Sequence, residues 1–406
     1  MNRLTRLIRG IEVKNRYNSL QRDPSVWVFG EWFGDRCCDN SKYFANYVSL
    51  VHPEIEIVWI TKRLTDTSSL NSRIHIVDMD SDKAMDILKR CGVAIISQNF
   101  YDLSSDGFNY VNGAISVHLW HGVPWKKIGH DGSRKKNLLL SAYIRIYDYV
   151  FGTDFYASPS DEYDKIACSA HGAKQNQIIH VGYARNSELY QPVKVAEGKM
   201  RILDELKKVD SEFDFSCVKI ISYMPTFRNA PSNAYSFDLL RNNCRFMSFL
   251  DESNAIIVQK AHYVNQIRDG RTDAEGANRI YTLNNIAAQD LLCASDLLVT
   301  DYSGAFFDYL ILDRPIVHYL YDYDYYRTQD RGLYYRKEDV IAGEEAVNEE
   351  QLVGAIIRNL NKPDLFKGRR HQIREIYMKY DTKDSCEILY QEIMKVLISR
   401  NSNCSC

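Results

Sequence analysis

The sequence predicts an α/β protein made of two doubly wound domains in tandem. Three observations predict it. At 406 residues the chain is too long for one ordinary hydrophobic core. Short apolar runs alternate with segments of helical periodicity, the pattern of a mostly parallel sheet covered on both faces. The alternation lapses across residues 185–215, which are polar, charged and without a strand signal, and then restarts. The crossing between domains is therefore expected there.

Residues 1–22 stand apart as a basic amphipathic segment. Leu4, Leu7, Ile8 and Ile11 recur at helical spacing among Arg3, Arg6, Arg9, Lys14, Arg16 and Arg22, opposed only by Glu12. A helix lying in a membrane interface has this pattern, and so does a solvated surface helix. Residues 23–190 form the expected first domain. Its strands are 26–30, 55–61, 74–77, 93–97, 115–120, 149–152 and 178–182, with helices at 40–51, 81–91, 135–147 and 158–171. Residues 215–348 form the second, with strands at 219–224, 255–259, 279–283, 297–300 and 315–320. Helices at 237–250, 287–294 and 304–312 lie between them. Residues 349–406 read as helices packing back on the domains. Two such domains place ligands at the carboxyl ends of their strands.

Composition narrows the chemistry. A formal net charge of −2 gives no bulk attraction to nucleic acid, so no nucleic-acid partner is expected. The ten cysteines fall at irregular spacing without paired CxxC elements, which argues against a zinc site and for a reduced, intracellular protein. No signal peptide and no membrane span is read, so the chain is expected in the cytosol. No Walker-type loop and no GxGxxG follows a strand, and no acidic triplet marks a metal–nucleotide site. No cofactor and no metal are expected.

Four strand ends carry candidate chemistry. Residues 119–129 run from a strand into a His-Gly turn, then Pro124, Lys126 and Lys127. His121 there is placed to take a proton from an attacking hydroxyl, and it reads equally as a structural hydrogen-bonding group. Residues 223–228 end in Thr226 and Arg228, both suited to phosphate oxygens. Residues 258–262 end in Lys260 and His262, which suit the charge of a diphosphate or a solvated strand end. Residues 299–309 run out at Thr300 and Asp301 into Ser303, Gly304 and a helix whose first N–H groups form an anion site. Ser303 also reads as a plain N-cap, and Asp308 as a structural partner of Arg314. Basic and anion-binding groups converging on one cleft suggest a diphosphate ligand.

These segments, in this order, resemble the CDP-glycerol glycerophosphotransferases of teichoic acid and capsule synthesis. The resemblance spans roughly residues 90 to 330. It implies two facing Rossmann-like domains of the GT-B type and transfer of glycerol phosphate, or ribitol phosphate, with release of CMP. On that pattern His121 matches the general base, and His262 is counted with it among the catalytic residues. Thr226, Arg228, Lys260, His262, Asp301, Ser303, Gly304 and Asp308 match the donor site. The implied partners are a CDP-glycerol or CDP-ribitol donor and a lipid-linked or polymeric saccharide acceptor.

Three departures bear on the donor, one being that residues 327–332 read Arg-Thr-Gln-Asp-Arg-Gly and do not follow the family pattern. Gly304 stands where many relatives have a second serine, and Val123 where threonine usually follows His-Gly. Alternatives from other classes are a nucleotide-sugar glycosyltransferase of the same architecture and a non-catalytic, membrane-docked assembly subunit. Lys126, Lys127, Arg134, Lys135 and Lys136 form a second basic stretch, expected to meet the acceptor or an anionic membrane surface. With residues 1–22 this predicts a peripheral protein on the inner face of the cell membrane.

Overall fold

The computed structural model describes residues 2–132, 138–226, 235–260, 275–328 and 332–403. They divide into two compact units. Unit 1 holds residues 1–121, 128–187 and 377–406, and unit 2 holds 122–127 and 188–376. The short segment after His121 thus belongs to unit 2, and the last helix of the chain to unit 1.

Unit 1 is a seven-stranded parallel sheet. Its strands are β1 (Asp23–Phe29), β2 (Glu56–Thr61), β3 (His75–Asp78), β4 (Cys91–Ile96), β5 (Ile115–His118), β6 (Phe155–Ser158) and β7 (Ile178–His180), in the spatial order β3-β2-β1-β4-β5-β6-β7. Burial on both faces explains the apolar runs of β2 and β4. One core face joins Trp27, Phe44, Trp59, Val93 and Val117 to Tyr390, Ile393 and Leu397 from the final helix, Ser385–Asn403. The opposite face buries Val28, Val58, Ala94 and Ile96 beneath Ala84, Ile87 and Leu88 of the helix Asp82–Arg90.

Two expectations in unit 1 need correction. Residues 149–152 are not a strand. They finish the helix Leu138–Phe151, and the sixth strand is Phe155–Ser158. A four-residue apolar run cannot distinguish a strand from the last turn of a buried helix, and here Val150 and Phe151 pack a helix face against Leu7 and Phe108. The helix expected at 158–171 starts at Asp161, because Ser158 still belongs to the sheet. Ser160 caps it, its hydroxyl accepting from Tyr163 N at 3.2 Å.

The N-terminal helix, Arg3–Asn18, is docked on unit 1. Leu7, Gly10 and Tyr17 are buried, and a Cβ at Gly10 would stand 2.5 Å from Val150 Cγ1 and 2.8 Å from Phe151. Part of its basic character serves the fold. The Arg6 guanidinium lies 5.0 Å from the rings of Tyr101 and Phe108, and Arg22 donates to the carbonyls of Leu88, Lys89 and Asn112. Leu4, Ile8 and Ile11 remain exposed.

Unit 2 is a second seven-stranded sheet. Its strands are β8 (Lys219–Met224), β9 (Ala255–Gln259), β10 (Glu275–Ala277), β11 (Ile280–Thr282), β12 (Leu297–Thr300), β13 (Ile316–Tyr319) and β14 (Glu344–Ala346), ordered β10-β11-β9-β8-β12-β13-β14. All pairs are parallel except β10–β11. The polar three-residue strands β10 and β14 escape sequence reading. In unit 2, residues 192–209 form a long helix, Pro192–Val209, which packs on Ala288–Ala294 through Gly198 against Cys293 and Arg201 against Asp290.

Candidate functional site

In a parallel sheet the loops leaving the strand ends diverge where the strand order reverses, which opens a crevice for ligands. In unit 1 the reversal lies between β1 and β4. Glu31 and Trp32 follow β1, Gln98 follows β4, and His121 follows β5.

His121 is half-buried. Its Nδ1 lies 3.0 Å from Gln98 Nε2, and its ring centroid is 3.9 Å from that of Trp120 and 5.3 Å from that of Trp32. The backbone delivering these rings is strained. Trp32 (φ 48°), Phe33 (φ 58°) and Trp120 (φ 56°) all occupy the left-handed region, which side chains rarely adopt, and Gly122 has φ 130°. Specific hydrogen bonds offset that strain. Asn40 Nδ2 donates to the Trp120 carbonyl at 2.9 Å, and Phe33 N donates to Asp102 Oδ1 at 2.8 Å.

Buried charge surrounds the imidazole. Asp39 forms an ion pair with Arg185 and accepts from Trp32 Nε1 at 3.1 Å. Burial works against ionisation of Asp39, but the Arg185 guanidinium and the His121 ring outweigh it and hold the carboxyl below its usual range. Glu31 lies behind it, accepting from the backbone N–H groups of Cys38, Asp39 and Lys42. Burial, with the Asp39 charge beside it, pushes its carboxyl upward. His118 is pushed down to about 4 by burial, and His171 well below its ordinary value by burial and by His118 beside it. Both are neutral at neutral pH.

One further carboxylate organises the loops. Asp102, fully buried, accepts from the N–H groups of Ser97 (2.9 Å), Gln98 (2.7 Å) and Phe33 (2.8 Å). Burial raises it to about 6 despite these bonds. Sequence reading missed Trp32, Asp39, Gln98, Asp102 and Arg185. Trp32 and Gln98 each follow the end of a predicted strand, but neither forms a motif there.

In unit 2 the order reverses between β8 and β12. Thr226 and the residues from Asp301 onward sit at those two ends, and Thr226 N donates to the buried Asp301 carboxylate at 2.7 Å. The helix after β12 is short, Ala305–Tyr309, and its N-cap is Gly304 without a side-chain cap bond. Ser303 is therefore not the cap itself; its hydroxyl accepts from Ala305 N at 3.4 Å. Lys260 Nζ donates to the Asn284 carbonyl at 3.0 Å, and Asp308 is buried within the short helix. Arg314 donates to the carbonyls of Cys293 and Ser295. Arg228, His262, Arg134, Lys135 and Lys136 lie outside the described residues.

Residues 122–127 are anchored in unit 2. Trp125, fully buried, lies against Tyr302, Phe306 and His318, and its Nε1 donates to the Tyr335 carbonyl at 3.0 Å. Lys127 N donates to Gly332 O at 3.0 Å, and Lys126 Nζ lies 5.9 Å from the Tyr326 ring centroid. Two of the family departures meet here, since a Cβ at Gly304 would come within 2.6 Å of the Val123 carbonyl oxygen. Glycine fits because the neighbouring backbone occupies the space of a side chain.

Among the described residues one cluster has the spacing of metal ligands: Asp161, Asp164 and His180. Its polar atoms already have partners. His180 Nε2 meets Asp164 Oδ2 at 2.8 Å, and Asp161 pairs with Lys379 at 2.7 Å and with Tyr380.

Comparison with known proteins shows what the chain is similar to. Residues 14–395 match the family described as CDP-glycerol:poly(glycerophosphate) glycerophosphotransferase. A teichoic acid glycerol-phosphate transferase of Staphylococcus aureus is 27% identical over 350 residues, covering 82% of this chain and 84% of that protein. A teichoic acid poly(glycerol phosphate) polymerase of Staphylococcus epidermidis is 25% identical over 77% of this chain, which spans 42% of the polymerase. The fold is similar to that of the wall teichoic acid polymerase TagF, with a TM-score of 0.74, 20% identity and 98% coverage of both chains.

Two outcomes are expected of this geometry. A carboxyl raised to about 6 in the native protein holds a proton that the unfolded chain, near 3.8, has released. The Asp102 contribution is therefore most favourable below pH ~4, declines on the order of 3 kcal/mol as pH rises to ~6, and is flat above. Asp102→Asn removes that decline and costs about 1–3 kcal/mol at low pH, because its amide turns a donor toward backbone N–H groups. Denaturant unfolding of both proteins between pH 4 and 7 checks this, and parallel curves contradict it. Gly304→Ser forces the Val123 carbonyl aside and lowers stability by about 1–3 kcal/mol, with Gly304→Ala costing the same. Thermal unfolding decides, and unchanged stability in both variants counts against the close approach.

Proposed function

The chain belongs to the CDP-glycerol:poly(glycerophosphate) glycerophosphotransferase family, and from that premise we propose how it works. It transfers glycerol phosphate, or ribitol phosphate, from a CDP-activated donor to a hydroxyl of a lipid-linked or polymeric acceptor, releasing CMP. The observation that carries the reading is the His121 imidazole, packed against two tryptophan rings after the end of β5 beside an ionised, buried Asp39.

In this reading unit 1 takes the acceptor and unit 2 the donor. The acceptor hydroxyl attacks the distal phosphorus of the donor. A new O–P bond forms, the bridging O–P bond to CMP breaks, and the hydroxyl proton passes to His121 and then to water. Asp39 favours the imidazolium at that moment. Thr226, Arg228, Lys260, His262, Ser303 and the N–H groups around Gly304 bind the diphosphate and offset its charge.

The protein works on the inner membrane face as a peripheral enzyme. Among the described residues no helix is long and apolar enough to cross a membrane. Support for peripheral contact comes from the N-terminal helix, which buries one face and leaves Leu4, Ile8 and Ile11 exposed among Arg3, Arg9 and Arg16. Ile146 and Tyr149 are exposed on the helix packed beside it.

CMP release from CDP-glycerol and CDP-ribitol, with a lipid-like acceptor present, tests the reaction. One donor is turned over, and His121→Ala lowers kcat by about 10²–10⁴ with the fold intact. Silence with both donors, or full activity of His121→Ala, rejects the assignment. For the membrane, the full chain floats with anionic liposomes, while glutamate at positions 4, 8 and 11 together leaves it in the soluble fraction. Equal flotation of the two proteins removes the helix from the account.

A further inference from the structure

The chemistry of His121 turns on which ring nitrogen carries the proton. To take a proton at Nε2, the ring must already hold one at Nδ1. That nitrogen faces the Gln98 amide at 3.0 Å.

Gln98 is itself fixed on both sides. Its N–H donates to Asp102 Oδ2 at 2.7 Å, and its carbonyl accepts from His118 Nε2 at 3.0 Å. Both partners are buried, and because Nε2 of His118 must donate to a carbonyl, that ring's own tautomer is set. The same Asp102 carboxylate holds Phe33 N beside Trp32, so one buried group fixes the loops after β1 and β4 together. Asp39 is committed elsewhere, its oxygens engaged by Arg185, Asn40 N and Trp32 Nε1.

The two ends of a glutamine amide exchange places by a half-turn about its terminal bond. With the nitrogen on Nδ1, the neutral ring keeps its proton at Nε2 and presents a donor to the ligand. With Oε1 on Nδ1, that position carries the hydrogen and Nε2 offers a lone pair. We propose that Gln98 is the positioning residue that makes His121 a base, its Oε1 accepting from Nδ1–H in the reactive state. The proposal rests on reading His121 as the general base. Among the described residues, the titratable and charged groups around the ring include Asp39 with Arg185, Glu31 and Lys42 behind them, and the neutral His118 and His171. A neutral amide orients the ring without adding a second anion to Asp39.

The test combines turnover with a direct view of the ring. Protein labelled with ¹⁵N-histidine, with His121→Asn to assign the resonance, reports the neutral tautomer of His121. Wild type is expected as the Nδ1–H form and Gln98→Leu as a mixture. Gln98→Leu lowers kcat at least about tenfold with little change in the donor KM. Gln98→Glu places a carboxylate on Nδ1–H and moves the acid limb of the pH–rate profile up by about one unit or more. An Nε2–H ring in wild type, or a tautomer and kcat unchanged in Gln98→Leu, overturns the proposal. The nitrogen shifts decide the role of Gln98 even if His121→Ala retains CMP release, which would defeat the base assignment separately.

Discussion

Each unit rests on one constraint: a parallel sheet leaves the polar groups at its strand ends unpaired where the strand order reverses. Those groups must be satisfied by neighbouring loops or by a ligand. In unit 1 the reversal between β1 and β4 is answered by Asp102, a buried carboxylate accepting from three backbone N–H groups on two loops. In unit 2 the reversal between β8 and β12 is answered by Asp301, which takes Thr226 N. Both are carboxylates fully withdrawn from water, tolerable because directed N–H groups replace lost hydration.

From this follows the character of the unit 1 site. Once the loops are pinned, the site tolerates Trp32, Phe33 and Trp120 in the left-handed region, the two tryptophans lying beside His121. Such strain persists only where surroundings over-determine it. Asn40 and Asp39 complete the cage, one holding the Trp120 carbonyl, the other joining Trp32 Nε1 to Arg185. In the proposed reaction this rigidity has a chemical use, since proton transfer depends on a donor and acceptor held within hydrogen-bond reach.

Much of this was legible in the sequence, for identifiable reasons. Doubly buried strands give continuous apolar runs, so most of both sheets could be read directly, and His121, Thr226 and Ser303 fall at strand ends as expected. The run at 149–152 misled because a helix end packed on Leu7 has the same composition as a short strand. Gly304 looked like a lost hydroxyl, whereas the Val123 carbonyl fills that space, a contact between residues 181 positions apart that no local pattern reveals. Gln98, Asp39 and Arg185 were illegible for the same reason. Their meaning lies in what they face, and a lone glutamine after a strand carries no motif.

The central claim is that His121 accepts a proton from the attacking hydroxyl and never bonds to phosphorus. The configuration of the product formed from a CDP-polyol made chiral at its distal phosphorus, with sulfur and oxygen isotopes, tests it most directly. A single in-line displacement by the acceptor predicts inversion. Retention would require two displacements through a phosphorylated enzyme, and would contradict this account of the site.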